Sequence, residues 1–262
     1  MIISSQNPKI QWVRSLQSRS RQRREAGAFV IEGVRLVEEA LTAGYKAQLV
    51  LYSDDLNPQG HNLIKAFQSQ GAPVEHVSSK VMRAASDTDT PQGILVVLPL
   101  PSKPPSGVLD FVLIPEGVRD PGNLGTMLRT AEAAGVDGLF LPGGTVDAYS
   151  PKVLRAAMGA HFRLPILNTN WKTIRHRISS ASLKVFLADA KDGEMYTQAD
   201  LSVPLALVVS GETEAPSPDA LELADAHLHI PMPGGAESLN VAIAAGILLF
   251  EVVRQRSQRS PQ

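Results

Sequence analysis

The sequence predicts an α/β protein in two parts, a small α/β unit followed by a larger one built on a mostly parallel sheet. Short apolar runs alternate with stretches of helical period along the chain, and a proline-rich segment, LPLPSKPPSG at 98–107, interrupts that alternation. Composition agrees, since 262 residues of which 44% are hydrophobic and 19% charged can bury a sizeable core.

In the first part, Asn7 and Pro8 mark an N-cap and first helical position, and Ile10, Val13 and Leu16 follow at helical spacing ahead of an arginine run. The opening helix is therefore basic and amphipathic. AFVIEG, KAQLVLYS, APVEHV and GILVVLPL read as strands, with helices near 34–43 and 61–70. Beyond the prolines, LDFVLIP, DGLFLP, FRLPIL, LKVFLAD, PLALVVSG and AHLHIP read as strands separated by helical stretches, the pattern of a parallel sheet covered on both faces. A long apolar helix starts near Val241, where Ser238 is placed to cap it. The expected division is 1–98, a linker at 99–107, a second domain at 108–254 and a polar basic tail at 255–262.

Charge narrows the function. Twenty-five Lys and Arg against 26 Asp and Glu leave a formal net charge of −1, so a nucleic-acid surface must be local rather than general. Residues 1–100 carry 11 basic and 9 acidic residues, and Lys9, Arg14, Arg19, Arg21, Arg23 and Arg24 all precede the first acid, Glu25. That run either tracks RNA phosphates or is a solvated helix end. Cysteine is absent, which excludes disulfides, thiolate metal sites and cysteine nucleophiles. The apolar stretch 241–250 is too short to span a bilayer, and the first residues show no secretory pattern, so a cytoplasmic protein without a membrane segment is expected.

Three segments carry candidate chemistry, each a strand followed by a loop. In IPEGVRDPGNLGTMLRTAEAAG, Asp120 and Pro121 start a helix on which Gly122, Gly125 and Arg129 share a side, for ligand approach or for helix packing. PLALVVSGETEAPSP runs from a strand into a small-residue turn with Glu212. HLHIPMPGGAESLNVAIAAG passes through a Pro/Gly loop to Ser238 and Asn240. Loops at the carboxyl ends of parallel strands are the usual ligand site in open α/β sheets. Each polar residue also has a plain alternative: Glu212 as a solvated acid, Ser238 as a cap, Asn240 as a surface amide. No dinucleotide fingerprint, P-loop, HExxH or GxSxG occurs. His227 and His229 share a strand face, where a metal site would need further ligands; structural histidines are the favoured reading, and no metal is expected.

Together the segments resemble the SpoU/TrmH branch of the SPOUT RNA methyltransferases. The first family motif stands here as Asn123-Leu-Gly125-Thr-Met-Leu-Arg129-Thr130-Ala131, the second as LVVSGETEA, and the third as Ile230-Pro231-Met232 through Ser238-Leu239-Asn240. The likeness covers 109–253. It implies an α/β fold with a deep trefoil knot, S-adenosylmethionine as cofactor, and a homodimer through the C-terminal domain. The first hundred residues resemble the L30e-like substrate-binding domain of members that modify ribosomal RNA, chiefly over NPKIQWVRSLQSRSRQRREAGAFVIEG. Carried over residue by residue, the resemblance implies cofactor contacts at Ser210, Gly211, Ile230 and Leu239, and catalytic or positioning roles for Asn123, Arg129, Glu212, Ser238 and Asn240. The sequence departs from the family pattern at Ser210, where glycine is usual, and at Ala215 and Pro216.

The implied reaction is methyl transfer to a ribose 2′-hydroxyl of structured RNA, most simply 23S-type ribosomal RNA. Guanidinium stays protonated in proteins, so Arg129 is read as a phosphate clamp and alkoxide stabiliser rather than a general base. Competing readings are a catalytically silent RNA-binding or ribosome-assembly protein, a tRNA ribose methyltransferase, and a small-molecule methyltransferase. The intact polar set argues against the first, and the basic opening helix against the last.

Overall fold

The computed structural model describes residues 1–101, 107–189, 192–211 and 215–259. The middle of the proline-rich linker, Glu212 and the end of the tail lie outside the described residues. The chain forms two compact units, one of Met1–Ser102 with Asp147–Phe162 and one of Lys103–Val146 with Arg163–Gln262.

The first unit opens with α1 (Pro8–Ser18), whose N-cap Asn7 accepts from Lys9 N and whose Ile10, Val13 and Leu16 are fully buried. The arginine run forms a second helix, α2 (Ser20–Ala26), closed by Gly27 in the left-handed conformation. There follow β1 (Ala28–Glu32), α3 (Val34–Thr42), β2 (Leu49–Tyr52), α4 (Pro58–Ser69), β3 (Val74–His76), α5 (Ser79–Ala85) and β4 (Ile94–Pro99). The sheet order is β1-β4-β2-β3, antiparallel except between β2 and β3. The apolar face of α1 packs on Ala28, Val30, Leu49, Leu51 and Val97.

A second stretch of chain completes this unit. The helix of Pro151–Ala157 and the turn of 3-10 helix at Ala160–Phe162 belong to it. Tyr149 packs on Phe29 with ring centroids 5.0 Å apart, and Phe162 meets Tyr45 at 5.1 Å. His161 is buried, its Nε2 2.6 Å from the carbonyl oxygen of Ala148.

The second unit contains β5 (Phe111–Glu116), α6 (Pro121–Ala133), β6 (Gly138–Leu141), β7 (Ile166–Asn168), α8 (Trp171–Ser180), β8 (Lys184–Ala188), β9 (Glu194–Met195), β10 (Leu205–Ser210), α9 (Pro218–Leu223), β11 (Ala226–His229) and α10 (Val241–Arg259). With the helix at Pro151–Ala157 taken as α7, helix numbering follows chain order. All pairings in its seven-stranded sheet, ordered β7-β6-β5-β10-β8-β11-β9, are parallel. The chain runs outward from β5 to β7 and then returns to build the other half, so the winding reverses beside β5 and β10. The carboxyl ends of those strands flank the crevice where such sheets bind ligands.

Candidate active site

The three segments singled out in the sequence meet at that crevice. β5 ends in Glu116, which is 7% exposed; its Oε2 accepts from Ser210 Oγ at 2.8 Å and from Ser217 N at 3.3 Å. Its carbonyl accepts from Gly211 N at 2.8 Å. A Cβ on Gly211 would lie 2.4 Å from the carbonyl oxygen of Gly117, so no other residue lets these two loops touch backbone to backbone. The result is a floor without side chains between the ends of β5 and β10.

The first and third segments join through two amides. Asp120 caps α6 by accepting from Asn123 N at 2.8 Å, which fixes the first helical turn. Asn240 Nδ2 donates to Asn123 Oδ1 at 2.9 Å, and Asn240 Oδ1 accepts from Ala242 N at 3.0 Å and Ile243 N at 3.3 Å. Asn240, not Ser238, therefore serves as the cap of α10; Ser238 is exposed in the preceding loop. Asparagine and serine cap equally well, and the helix begins two residues later than a Ser238 cap requires. α6 packs along α10, with Thr130 Cγ2 3.6 Å from where a Gly246 Cβ would be. Gly125 is buried, while Arg129 is exposed and has no ion pair among the described residues. Six residues, about 1.7 helical turns, separate Asn123 from Arg129, a rise of about 9 Å along the axis.

Ser210 and Gly211 lie half-buried where β10 ends at the crevice, and Ile230 and Leu239 are half-buried in the β11–α10 connection. Glu212 lies outside the described residues. The residue missed in the sequence is Glu116. A single carboxylate closing an otherwise wholly apolar strand, FVLIPE, was the available signal.

The basic run divides. Arg14, Arg19 and Arg24 are exposed. Lys9 pairs with Glu75, and Arg21 with Glu25 at 2.6 Å, both near the surface. Arg23 departs from the expected RNA-facing set. It is 4% exposed, donates from Nε and Nη2 to Asp147 Oδ2 at 2.8 and 2.6 Å, and caps the end of α1 through the carbonyls of Leu16 and Gln17. A guanidinium so paired is committed to the fold. His227 lies 3.5 Å from Asp189 and His229 Nδ1 2.9 Å from the Gly193 carbonyl oxygen. Among the described residues no group of three or more His, Asp or Glu is placed to hold a metal, and no helix is long and apolar enough to cross a membrane.

Comparison with known proteins decides what this crevice belongs to. Residues 110–250 match the SpoU rRNA methylase family, and residues 7–96 match the MRM3-like substrate-binding domain. This chain belongs to the SpoU rRNA methylase family. A relative in Bacillus subtilis, the 23S rRNA (guanosine(2553)-2′-O)-methyltransferase RlmP, is 35% identical over 96% of this chain and 98% of its own. Human mitochondrial rRNA methyltransferase 3 is 32% identical over 91% of this chain and 70% of its own. The AdoMet-bound rRNA methyltransferase from Sinorhizobium meliloti superposes with a TM-score of 0.86 at 32% identity, covering 97% of each chain. In this SpoU member the family match spans the strands that build the crevice, and the substrate-binding match spans α1 through the first half of β4.

Proposed function

We propose that this chain transfers a methyl group from S-adenosylmethionine to a ribose 2′-hydroxyl of large-subunit ribosomal RNA. The observation that carries the reading is the Asn240–Asn123 hydrogen bond, which ties the first and third motifs together on the helix that presents Arg129. Likeness to the Bacillus subtilis enzyme and to the AdoMet-bound structure supports it.

The crevice suits this cofactor. The floor between Gly117 and Gly211 leaves backbone groups to meet an adenosyl moiety, with Ser210, Ile230 and Leu239 around it. When bound, S-adenosylmethionine supplies an electrophilic methyl group on a sulfonium. The protein contributes position and field. Arg129, unpaired among the described residues and always charged, clamps an RNA phosphate and stabilises the oxygen as its proton passes to solvent water. Asn123 and Asn240 hold each other in one orientation and with Ser238 position the ribose. Glu212 belongs to the same proposed set.

The serine at 210, where glycine is usual, has a structural reason in its bond to Glu116; it therefore gives no support to a catalytically silent reading. The same proposal includes the trefoil knot, a cytoplasmic site of action, and a homodimer through α10. Ile243 and Phe250, 54% and 49% exposed, lie seven residues apart on one face of that helix and suit such an interface. Arg14, Arg19 and Arg24 supply salt-dependent RNA affinity.

The test maps 2′-O-methylation in ribosomal RNA from a strain lacking the gene and from one complemented with it. A site lost and regained supports the proposal; an unchanged methylation map refutes it. Calorimetry with S-adenosylmethionine, with and without chelator, should show binding in both.

A further inference from the structure

Between β6 and α7 the chain passes from the second unit to the first at one peptide bond, that of Val146 and Asp147, and it is anchored on both sides of that bond. On the crevice side, Val146 N donates to the carbonyl of Val118 at 2.9 Å, and Thr145 Oγ1 donates to the carbonyl of Pro115 at 3.0 Å. Those two acceptors bracket Glu116 and Gly117, the residues that meet Ser210 and Gly211 at the floor of the crevice. Val118 is buried, which makes loss of its donor costly.

On the other side, Asp147 is held wholly within the first unit. Its Oδ1 accepts from Tyr149 N at 2.9 Å, and its Oδ2 takes both hydrogen bonds from the Arg23 guanidinium. Arg23 reaches it from α2, the short helix that also carries Arg24 and has Arg19 at its N-cap, both exposed. Because a trans peptide is planar, only the backbone torsions of one residue lie between the Val146 amide and Asp147. Upstream the chain has slack. Gly143 and Gly144 stand between these anchors and β6, and an added Cβ on either would meet nothing within 4 Å among the described residues. A displacement of Asp147 is therefore passed to the Val118 loop in preference to β6.

We infer that Arg23 and Asp147 are positioning residues for the cofactor crevice, through which RNA held on α2 sets the loop after β5. Neither touches the reacting atoms. α2 places Arg23, Arg23 holds Asp147, and Asp147 fixes the donor on which the Val118 carbonyl depends. By linkage, RNA and cofactor then raise each other's affinity by one common factor. A pair that served the fold alone would lower the melting temperature when removed and leave that factor unchanged. The inference rests on the reading of the chain as a ribosomal RNA methyltransferase, and it makes the substrate-binding unit a contributor to the order of the catalytic site.

The full-length protein is titrated with S-adenosylhomocysteine, which cannot donate a methyl group, alone and with saturating 23S ribosomal RNA from the deletion strain. Wild type should bind about tenfold more tightly when RNA is present. The double variant Arg23→Met with Asp147→Asn buries no unpaired charge and keeps the acceptor for Tyr149 N, so it should fold. In it the factor should fall below about twofold. Thr145→Val leaves the ion pair untouched and should also lower the factor, and Arg23→Lys should retain more of it than the double variant. An equal factor in wild type and the double variant, or no effect of RNA on wild type, overturns the inference. Wild type that methylates ribosomal RNA without this coupling would overturn the inference alone. Failure to bind S-adenosylhomocysteine at all would remove the proposed reaction and this inference with it.

Discussion

Arg129, Glu116 and His161 place a charge or a lone pair where its surroundings dictate its behaviour. Arg129→Ala should lower single-turnover methyl transfer by more than about 100-fold while sparing S-adenosylmethionine affinity, because its proposed partners are the RNA and the charge that develops during transfer. Arg129→Lys keeps the charge and loses the planar fork, so poor rescue marks a bidentate clamp and good rescue a simple charge requirement. Activity that climbs toward alkaline pH in the lysine variant would instead indicate a base. Glu116→Gln breaks the match between one acceptor and two donors, Ser210 Oγ and Ser217 N, that ties the end of β10 and the N-cap of α9 to β5. It should weaken S-adenosylmethionine binding by about tenfold, and Ser210→Gly by less. A lower melting temperature with an unmoved cofactor affinity would reduce Glu116 to a structural role. His161 responds to pH. Burial, opposed by its bond to Ala148 and by the charge of Asp147, pushes the imidazole down to about 4. The unfolded chain takes up this proton near about 6.5, so the stabilisation from neutral His161 is complete above that pH and is lost as pH falls toward about 4. Urea unfolding between those limits should show this loss in wild type, with a flatter profile in His161→Phe.

The secondary-structure elements were legible where their signals are local. The Asn7-Pro8 and Asp120-Pro121 caps, and the spacing of Ile10, Val13 and Leu16, are decided within a few residues, and both helices start where these signals put them. α2 was hidden because its residues read as a charge run, and β9, two residues long, is too short to show a period. The burial of Arg23 could not be read locally, since its carboxylate partner is 124 residues away. The Ser238–Asn240 ambiguity has the same origin: either residue can cap, and the choice falls to Asn240, which also reaches Asn123 on another helix. In α10, the moderate apolar character that marked a long helix also leaves Ile243 and Phe250 exposed. Phe250→Glu should convert the proposed dimer to monomer in light scattering at micromolar concentration. A wild-type monomer that is fully active would remove the dimer from the proposal.

The whole molecule is assembled from stretches that do not follow chain order. The first unit needs Asp147–Phe162, so a fragment beginning after residue 102 would leave Tyr149, Val153, Leu154 and Ala157 without their core. Such a fragment should aggregate, and the contribution of the N-terminal cations is better measured by substituting Arg14, Arg19 and Arg24 together. Those changes should flatten the dependence of RNA affinity on salt by up to about three counterions and leave cofactor affinity intact. An unchanged salt slope would remove these arginines from the RNA surface.

The pairing of Arg23 with Asp147 also has a consequence during synthesis. The ribosome delivers α1 to β4 well before the carboxylate, so the nascent first unit must either keep Arg23 in water or bury it uncompensated, and the latter is strongly unfavourable. Completion of the first unit therefore waits until the chain has passed through β5, α6 and β6 of the second. The two units become interleaved steps of one folding sequence, and the ion pair makes closure of the substrate-binding unit conditional on the arrival of the catalytic unit's first strands.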